Sequence, residues 1–390
     1  MQTPPGLGEP EFFAHTHAAA GPAGTPEAQR LHLDGVLLPG GERTQLWVVD
    51  GLLRTEPVAD AVTVSAGGWI LPGLVDAHCH IGLGSAGAVP PEVAESQATT
   101  DRDAGTLLVR DAGSPVDTHW IDRREDLPRV IRAGRHIARP LRYIRNYASE
   151  VEPAELVAEV ARQAARGDGW VKLVGDWIDR NAGDLAPLWP ADVAAAAIAK
   201  AHELGARVTA HCFGEESVHQ LVHAGIDGIE HGTGLDAGTI ALMAQRRVAL
   251  VPTLVNLENF PSFADAGEAK FPRYAAHMRA LHARRFDTIS AAVDAGVPVY
   301  AGTDAGGTIQ HGMIGTEIGL LSSVGGAEFA LGAASWRARE WLGAAPVADG
   351  APADLVVYGA DPRRDVGVTR HPDLVILRGR VVHARGAVTG

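Results

Sequence analysis

Four histidines, one lysine and one aspartate supply the residue types from which a metal centre can be built. His78 and His80 stand one residue apart at the end of the apolar run Leu74-Val75-Asp76-Ala77. Residues two apart in an extended strand face the same side, so both imidazoles can reach one cation. His211 closes Val208-Thr209-Ala210, His231 closes Ile229-Glu230, and Asp304 follows Ala301-Gly302-Thr303. A lone histidine at a strand end is usually just a satisfied hydrogen-bonding residue. Together these residues offer borderline nitrogen and hard oxygen donors, a set that suits zinc or another divalent first-row metal. Cys79 and Cys212 adjoin ligands but alternate to the opposite face, where a small buried hydrophobe is the expected role.

Lys172 interrupts the apolar run Trp170-Val171-Lys172-Leu173-Val174 in a chain where only 3 of 34 basic residues are lysines. An ammonium beside divalent cations would be repelled and costly to bury, which favours the neutral amine. That amine can add carbon dioxide to become a carbamate, a carboxylate on a long stem able to bridge two metals. The alternative is a lysine that snorkels past its strand end to solvent.

These groups need a scaffold that brings strand ends together. Between Pro72 and Pro346, short β-branched runs alternate with Ala-rich helical stretches. Strands are expected at Leu74–His78, Thr106–Asp111, a poorly defined third near Val130–Tyr143, Trp170–Val174, Arg207–His211, Gly228–His231, Val248–Thr253 and Val297–Ala301. Helices are expected at Glu152–Arg166, Ala191–Leu204, Glu215–Ala224 and Leu235–Arg247. Such repetition over residues 72–346 fits an α/β protein of the (β/α)8 TIM-barrel type, where reactive groups sit at the carboxyl ends of strands. An open doubly wound sheet is the structural alternative, but no G-x-G-x-x-G follows the first strand. Short strands at residues 31–71 and 347–390 imply one small β-domain made from both chain ends. Residues 1–30, rich in Pro, Gly and Ala, read as a mobile arm or a segment that wraps over something else.

The chain has 390 residues, two cysteines and a net charge of -13. Two cysteines make no disulfide framework, and the acidic balance argues against a nucleic-acid or anionic-membrane surface. No secretory leader or membrane-length apolar run is evident, so the cytoplasm is the expected location and a small molecule the expected partner. A homo-oligomer stays open.

The phrases Pro72-Gly73-Leu74-Val75-Asp76-Ala77-His78-Cys79-His80, Gly225-Ile226-Asp227-Gly228-Ile229-Glu230-His231-Gly232, Leu250-Val251-Pro252-Thr253-Leu254, Gly302-Thr303-Asp304 and Ala353-Asp354-Leu355-Val356-Val357 resemble the metal-dependent amidohydrolase superfamily, in its imidazolonepropionase-like and prolidase-like branch. The resemblance implies a distorted (β/α)8 barrel with a small β-sandwich from both chain ends. It also implies two divalent metals, zinc first among them. His78, His80 and Asp304 would hold one and His211 and His231 the other, with carboxylated Lys172 and a hydroxide as bridges. The activity implied is hydrolysis of an amide, cyclic amide or dipeptide-like C–N bond, with Asp304 moving the proton.

A mononuclear deaminase using Glu215 or Glu216, or a lactone or ester hydrolase, is the alternative. Around the substrate, Tyr147 and the arginines of Arg139–Tyr147 are candidate contacts, as is His311 in the loop after Asp304. That segment departs from the one prolidase-like relatives usually show. Arg110 and Asp111, ending the second strand, are expected to form a buried ion pair beneath the metals.

Overall fold

The computed structural model describes residues 30–385; the expected N-terminal arm lies, but for residue 30, outside them, as do residues 386–390. Two parallel arrays carry the site. One runs Ser149–Glu150, Ile137–Ala138, Trp170–Val174, Arg207–Cys212, Gly228–His231, Ala249–Val251. The other runs Ala305–Gly307, Leu74–Gly84, Thr106–Asp111, Arg129–Arg132, with Gly87–Ala88 folded back on Leu74–Gly84. Their near-continuous burial is what parallel strands covered on both faces require.

Backbone hydrogen bonds link the arrays on both sides. The poorly defined third strand is one chain segment in two pieces: Arg129–Arg132 pairs with Thr106–Asp111, and Ile137–Ala138 pairs with Trp170–Val174. On the other side the segment expected as an eighth strand is reduced to a bridge between Val299 and Leu250. Leu250 N–H still donates to Pro298 at 2.8 Å, Tyr300 N–H to Leu250 at 3.0 Å, and Ala77 N–H to Ala301 at 2.8 Å. Pro298 has no N–H to give, which limits a regular ladder there.

The helices follow their apolar spacing. Leu156–Arg166 buries Leu156, Val160 and Gln163 after a capping box between Glu152 and Glu155. Ala191–Glu203 buries Ala194, Ala197, Ile198 and Ala201, the i, i+3, i+4, i+7 stripe, and Gly205 turns the chain at φ 75°. Asp236 accepts from Thr239 N–H at 2.7 Å to start Ala237–Arg246.

Both chain ends pair in one hydrogen-bonded sheet, whose edge residue Leu52 also bridges to Pro352 near the C-terminal strands. Its order is Arg380–Ala384, Leu374–Leu377, Leu355–Tyr358, Val62–Pro72, Leu31–Leu37, Glu42–Val49, Leu52–Arg54. The 11-residue strand Val62–Pro72 is long enough to take N-terminal Leu31–Leu37 on one edge and C-terminal Leu355–Tyr358 on the other. One sheet face builds its own core from Leu33, Val48, Ile70, Leu355 and Ile376. Tyr358 and Val356, on the opposite face, join the main core.

Candidate metal centre

The structure brings the six expected ligands together. His78 and His80 turn their Nε2 atoms to within 3.1 Å of each other, and both lie 2.9 Å from Asp304 Oδ1. His211 Nδ1 lies 3.0 Å from His231 Nε2, and the rings of His78 and His231 sit 5.4 Å apart. Lys172, on the strand beside Arg207–Cys212, is 1% exposed.

Three of the four histidines are held by their outer nitrogen, while His211 Nε2 has no hydrogen-bond partner among the described residues. His78 Nδ1 contacts Glu230 at 2.5 Å, His80 Nδ1 the Gly113 carbonyl at 2.7 Å, and His231 Nδ1 the Thr253 hydroxyl at 2.7 Å. Outer partners of this kind fix the tautomer and direct the inner lone pair at a cation. Burial pushes the imidazole of His231 down to about 3, so it is neutral and free to donate electrons at pH 7. Burial also lowers the Lys172 ammonium, whose Nζ has no hydrogen-bond partner among the described residues. That overturns the snorkelling alternative, since the amine ends inside the protein.

Backbone geometry points the same way. His231, Thr253 and Asp304 have φ of 66°, 49° and 62°. For β-branched Thr253 this is a strained conformation, of the sort that persists where the surroundings over-determine it. Asp76 ties the first strand to the last loop, accepting from His78 N–H at 3.1 Å, Thr303 N–H at 3.0 Å and the Thr303 hydroxyl at 2.5 Å. At Gly302 a Cβ would lie 2.7 Å from His78 Cβ, so only glycine allows this approach.

Several contributors were not legible in the sequence. Glu230, beside a ligand, accepts from Arg110 at 2.7 Å and from the Thr209 hydroxyl. The expected Arg110–Asp111 pair is therefore not formed. Neighbours on a strand face opposite ways, so Arg110 reaches Glu230 while Asp111 caps the N–H groups of Ile81 and Gly113. Asn256 donates Nδ2 to Asp304 Oδ2 at 2.7 Å. His136, buried, stacks on His80 at 4.8 Å. Only its place in the ill-defined third strand could have signalled it.

A cavity of about 470 Å³ opens over Asp304, lined by His80, His136, Tyr147, His211 and Asn256 among others. Tyr147 is thus where a substrate contact would be. His311 is not among the lining residues: its Nδ1 is 2.8 Å from Asp101, whose other oxygen caps Gly312 N–H. Two of the three arginines of that segment also turn away, Arg142 to Asp179 at 2.8 Å and Arg139 to Glu152 at 3.3 Å. Glu215 bonds His277 and Arg284, and neither Glu215 nor Glu216 faces the cavity. The deaminase alternative therefore lacks its proton-carrying glutamate.

Residues 69–382 match the amidohydrolase family. The chain belongs to that family. An uncharacterized protein of Mycobacterium tuberculosis is 61% identical over 355 residues, 90% of this chain and 96% of the relative. An uncharacterized Mycobacterium bovis protein matches equally. Among solved structures, a Xaa-Pro dipeptidase with methionine bound in its active site superposes with a TM-score of 0.76 at 22% identity, covering 91% of this chain and 99% of that one. The ochratoxinase of A. niger does so with 0.74 at 19% identity, covering 92% and 97%. At these identities the likeness shows that the amidohydrolase shares their α/β fold.

Divalent metals are general in the amidohydrolase family, and the donor set fits them. His78, His231 and Asp304 each turn a ligand atom to within 4.8 Å of the others, and the buried amine of Lys172 has no hydrogen-bond partner among the described residues.

Proposed function

We propose that this amidohydrolase cleaves the C–N bond of an amide-type small molecule at a centre of two divalent metals, zinc first among them. The observation that carries the reading is the buried, unpartnered Nζ of Lys172 among four inward-turned histidine nitrogens. His78, His80 and Asp304 would hold one ion and His211 and His231 the other, with the carbamate of Lys172 between them. Bound metals supply Lewis acidity, which polarises a carbonyl and makes water nucleophilic at neutral pH.

The remaining work falls to the chain's own side chains. Burial raises the Asp304 carboxyl, yet His78 and His80 beside it hold it well below the usual carboxylate range, so it is ionised at neutral pH. The Asn256 amide fixes Oδ2 and leaves Oδ1 at the histidines. From there Asp304 can take a proton from attacking water and deliver it to the leaving nitrogen. His136 and Tyr147 line the space where the acyl group and leaving group would lie.

The backbone bonds through Pro298, Tyr300 and Ala301 support a closed, distorted (β/α)8 barrel as the frame. Other hydrolases of the same fold, acting on molinate and phenylurea, support the C–N reading by analogy.

Elemental mass spectrometry on protein prepared in bicarbonate without chelator, together with a panel of amides, tests the proposal. Two equivalents per chain and amide turnover are expected. A firm single equivalent that added metal does not change would remove the binuclear centre.

A further inference from the structure

The hydrolase reading leaves the substrate open, and the inference here rests on that reading. The cavity of about 470 Å³ is large enough to enclose most of a drug-sized molecule. Its wall is aromatic, built from Tyr143, Trp177, Phe213, Phe263, Phe271 and Tyr274. Three added segments supply most of it: the loop after Ile137–Ala138, the hairpin of Asp176–Asp179 with Asp184–Pro187, and the helix Phe260–Glu268 running into Pro272–Asp294. Trp177 meets Tyr143 edge-on at 4.8 Å, and Phe213 meets His211 at 4.2 Å, so the aromatic surface is continuous with the ligands.

Charge on this wall is sparse and one-sided. Among the described residues Asp304 is the only carboxylate lining the cavity, and His78, His80 and Asn256 already occupy it. A dipeptide brings an α-ammonium next to its scissile carbonyl. Desolvating that group without a counter-charge costs several kcal/mol. A substrate whose nitrogen is acylated carries no such charge.

Among the described residues, the one lining cation besides histidines is Lys270. Of the three lysines, Lys172 is in the metal cluster and Lys200 pairs with Glu203 at 3.0 Å. Lys270 has no ion pair among the described residues, and its Nζ stands 5.3 Å from the centre of the Phe271 ring.

We propose that the site takes amino-blocked carboxylates with an aromatic or bulky apolar body, N-acyl amino acids in form, and rejects dipeptides with a free amino terminus. The aromatic wall holds the body, and Lys270 at the rim meets the carboxylate. Cleavage adds water across the C–N bond. The acyl carbon takes the hydroxyl as its acid, and the nitrogen leaves with a proton as the free amino acid.

The test compares N-benzoyl-L-phenylalanine, its carboxamide, and L-phenylalanyl-L-phenylalanine on the metal-loaded protein. Initial rates give kcat/KM where turnover occurs, and calorimetry gives Kd where it does not, so preference is readable either way. The blocked acid should exceed the dipeptide by on the order of a hundred-fold. Equal or reversed preference overturns the proposal. Lys270→Met, at an exposed position, should narrow the acid-to-carboxamide ratio about four-fold, the worth of an exposed ion pair. An unchanged ratio removes Lys270 from recognition. Tight binding of the blocked acid without cleavage would retire hydrolysis and leave this substrate class standing, whereas preferred cleavage of the dipeptide would do the reverse.

Discussion

Lys172 carries the most information per atom. A buried amine with no partner is costly as an ammonium, and its ammonium form is already disfavoured by burial. Lys172→Ala should therefore fold, and should lose at least about half of the bound metal when measured by elemental mass spectrometry, because a shared ligand is gone. Full occupancy in that variant would end the bridging role. Asn256 acts differently, through Asp304. Asn256→Ala removes one charge-assisted hydrogen bond, worth about 1.5–3 kcal/mol. It should lower kcat more than it changes KM or metal content, and equal loss of all three would mark it as merely structural.

Between elements, one histidine stitches three segments. His277, on Pro272–Asp294, reaches Asp184 of the hairpin at 2.9 Å and Glu215 at the start of Glu215–His223 at 2.9 Å. Its hydrogen bond to Glu215, followed by that to Asp184, raises the imidazole to about 9. A pKa raised on folding contributes stability in full below the unfolded value near 6.5, and loses it as pH rises through about 9. The cluster is partly exposed, so solvent screening holds its worth to about 1 kcal/mol. His277→Gln should lower Tm by about 2 °C at pH 6, and that difference should vanish by about pH 10. A pH-independent difference would mean that packing, rather than charge, is what His277 provides. The hairpin it pins also carries Trp177 of the cavity wall.

Across the whole molecule, the sheet from both chain ends is a support on which the site does not directly draw. Ile376 is wholly buried in the sheet's own core, apart from the cluster behind the metal centre. Ile376→Ala should cost about 2–4 kcal/mol, read as a lower denaturation midpoint, with metal per folded chain unchanged. Loss of metal at full folding would tie the two regions together energetically.

From the sequence alone came the elements that repeat a local rule. Strand ends near His211 and His231 and helices such as Ala191–Glu203 follow from period and glycine stops, whereas the first strand runs on past its expected end at His78 to Gly84, and the ligand types suit a divalent metal. Strand alternation was enough to put His78 and His80 on one side. Tertiary structure alone decided what depends on meeting across the fold. It paired Arg110 with Glu230, 120 positions away, instead of with adjacent Asp111. It brought Asn256 to Asp304, turned His311 toward Asp101, and closed an aromatic cavity from three separate segments. The physical reason is range: periodicity and capping act over a few residues, whereas a buried polar group takes whatever partner packing brings within hydrogen-bond distance.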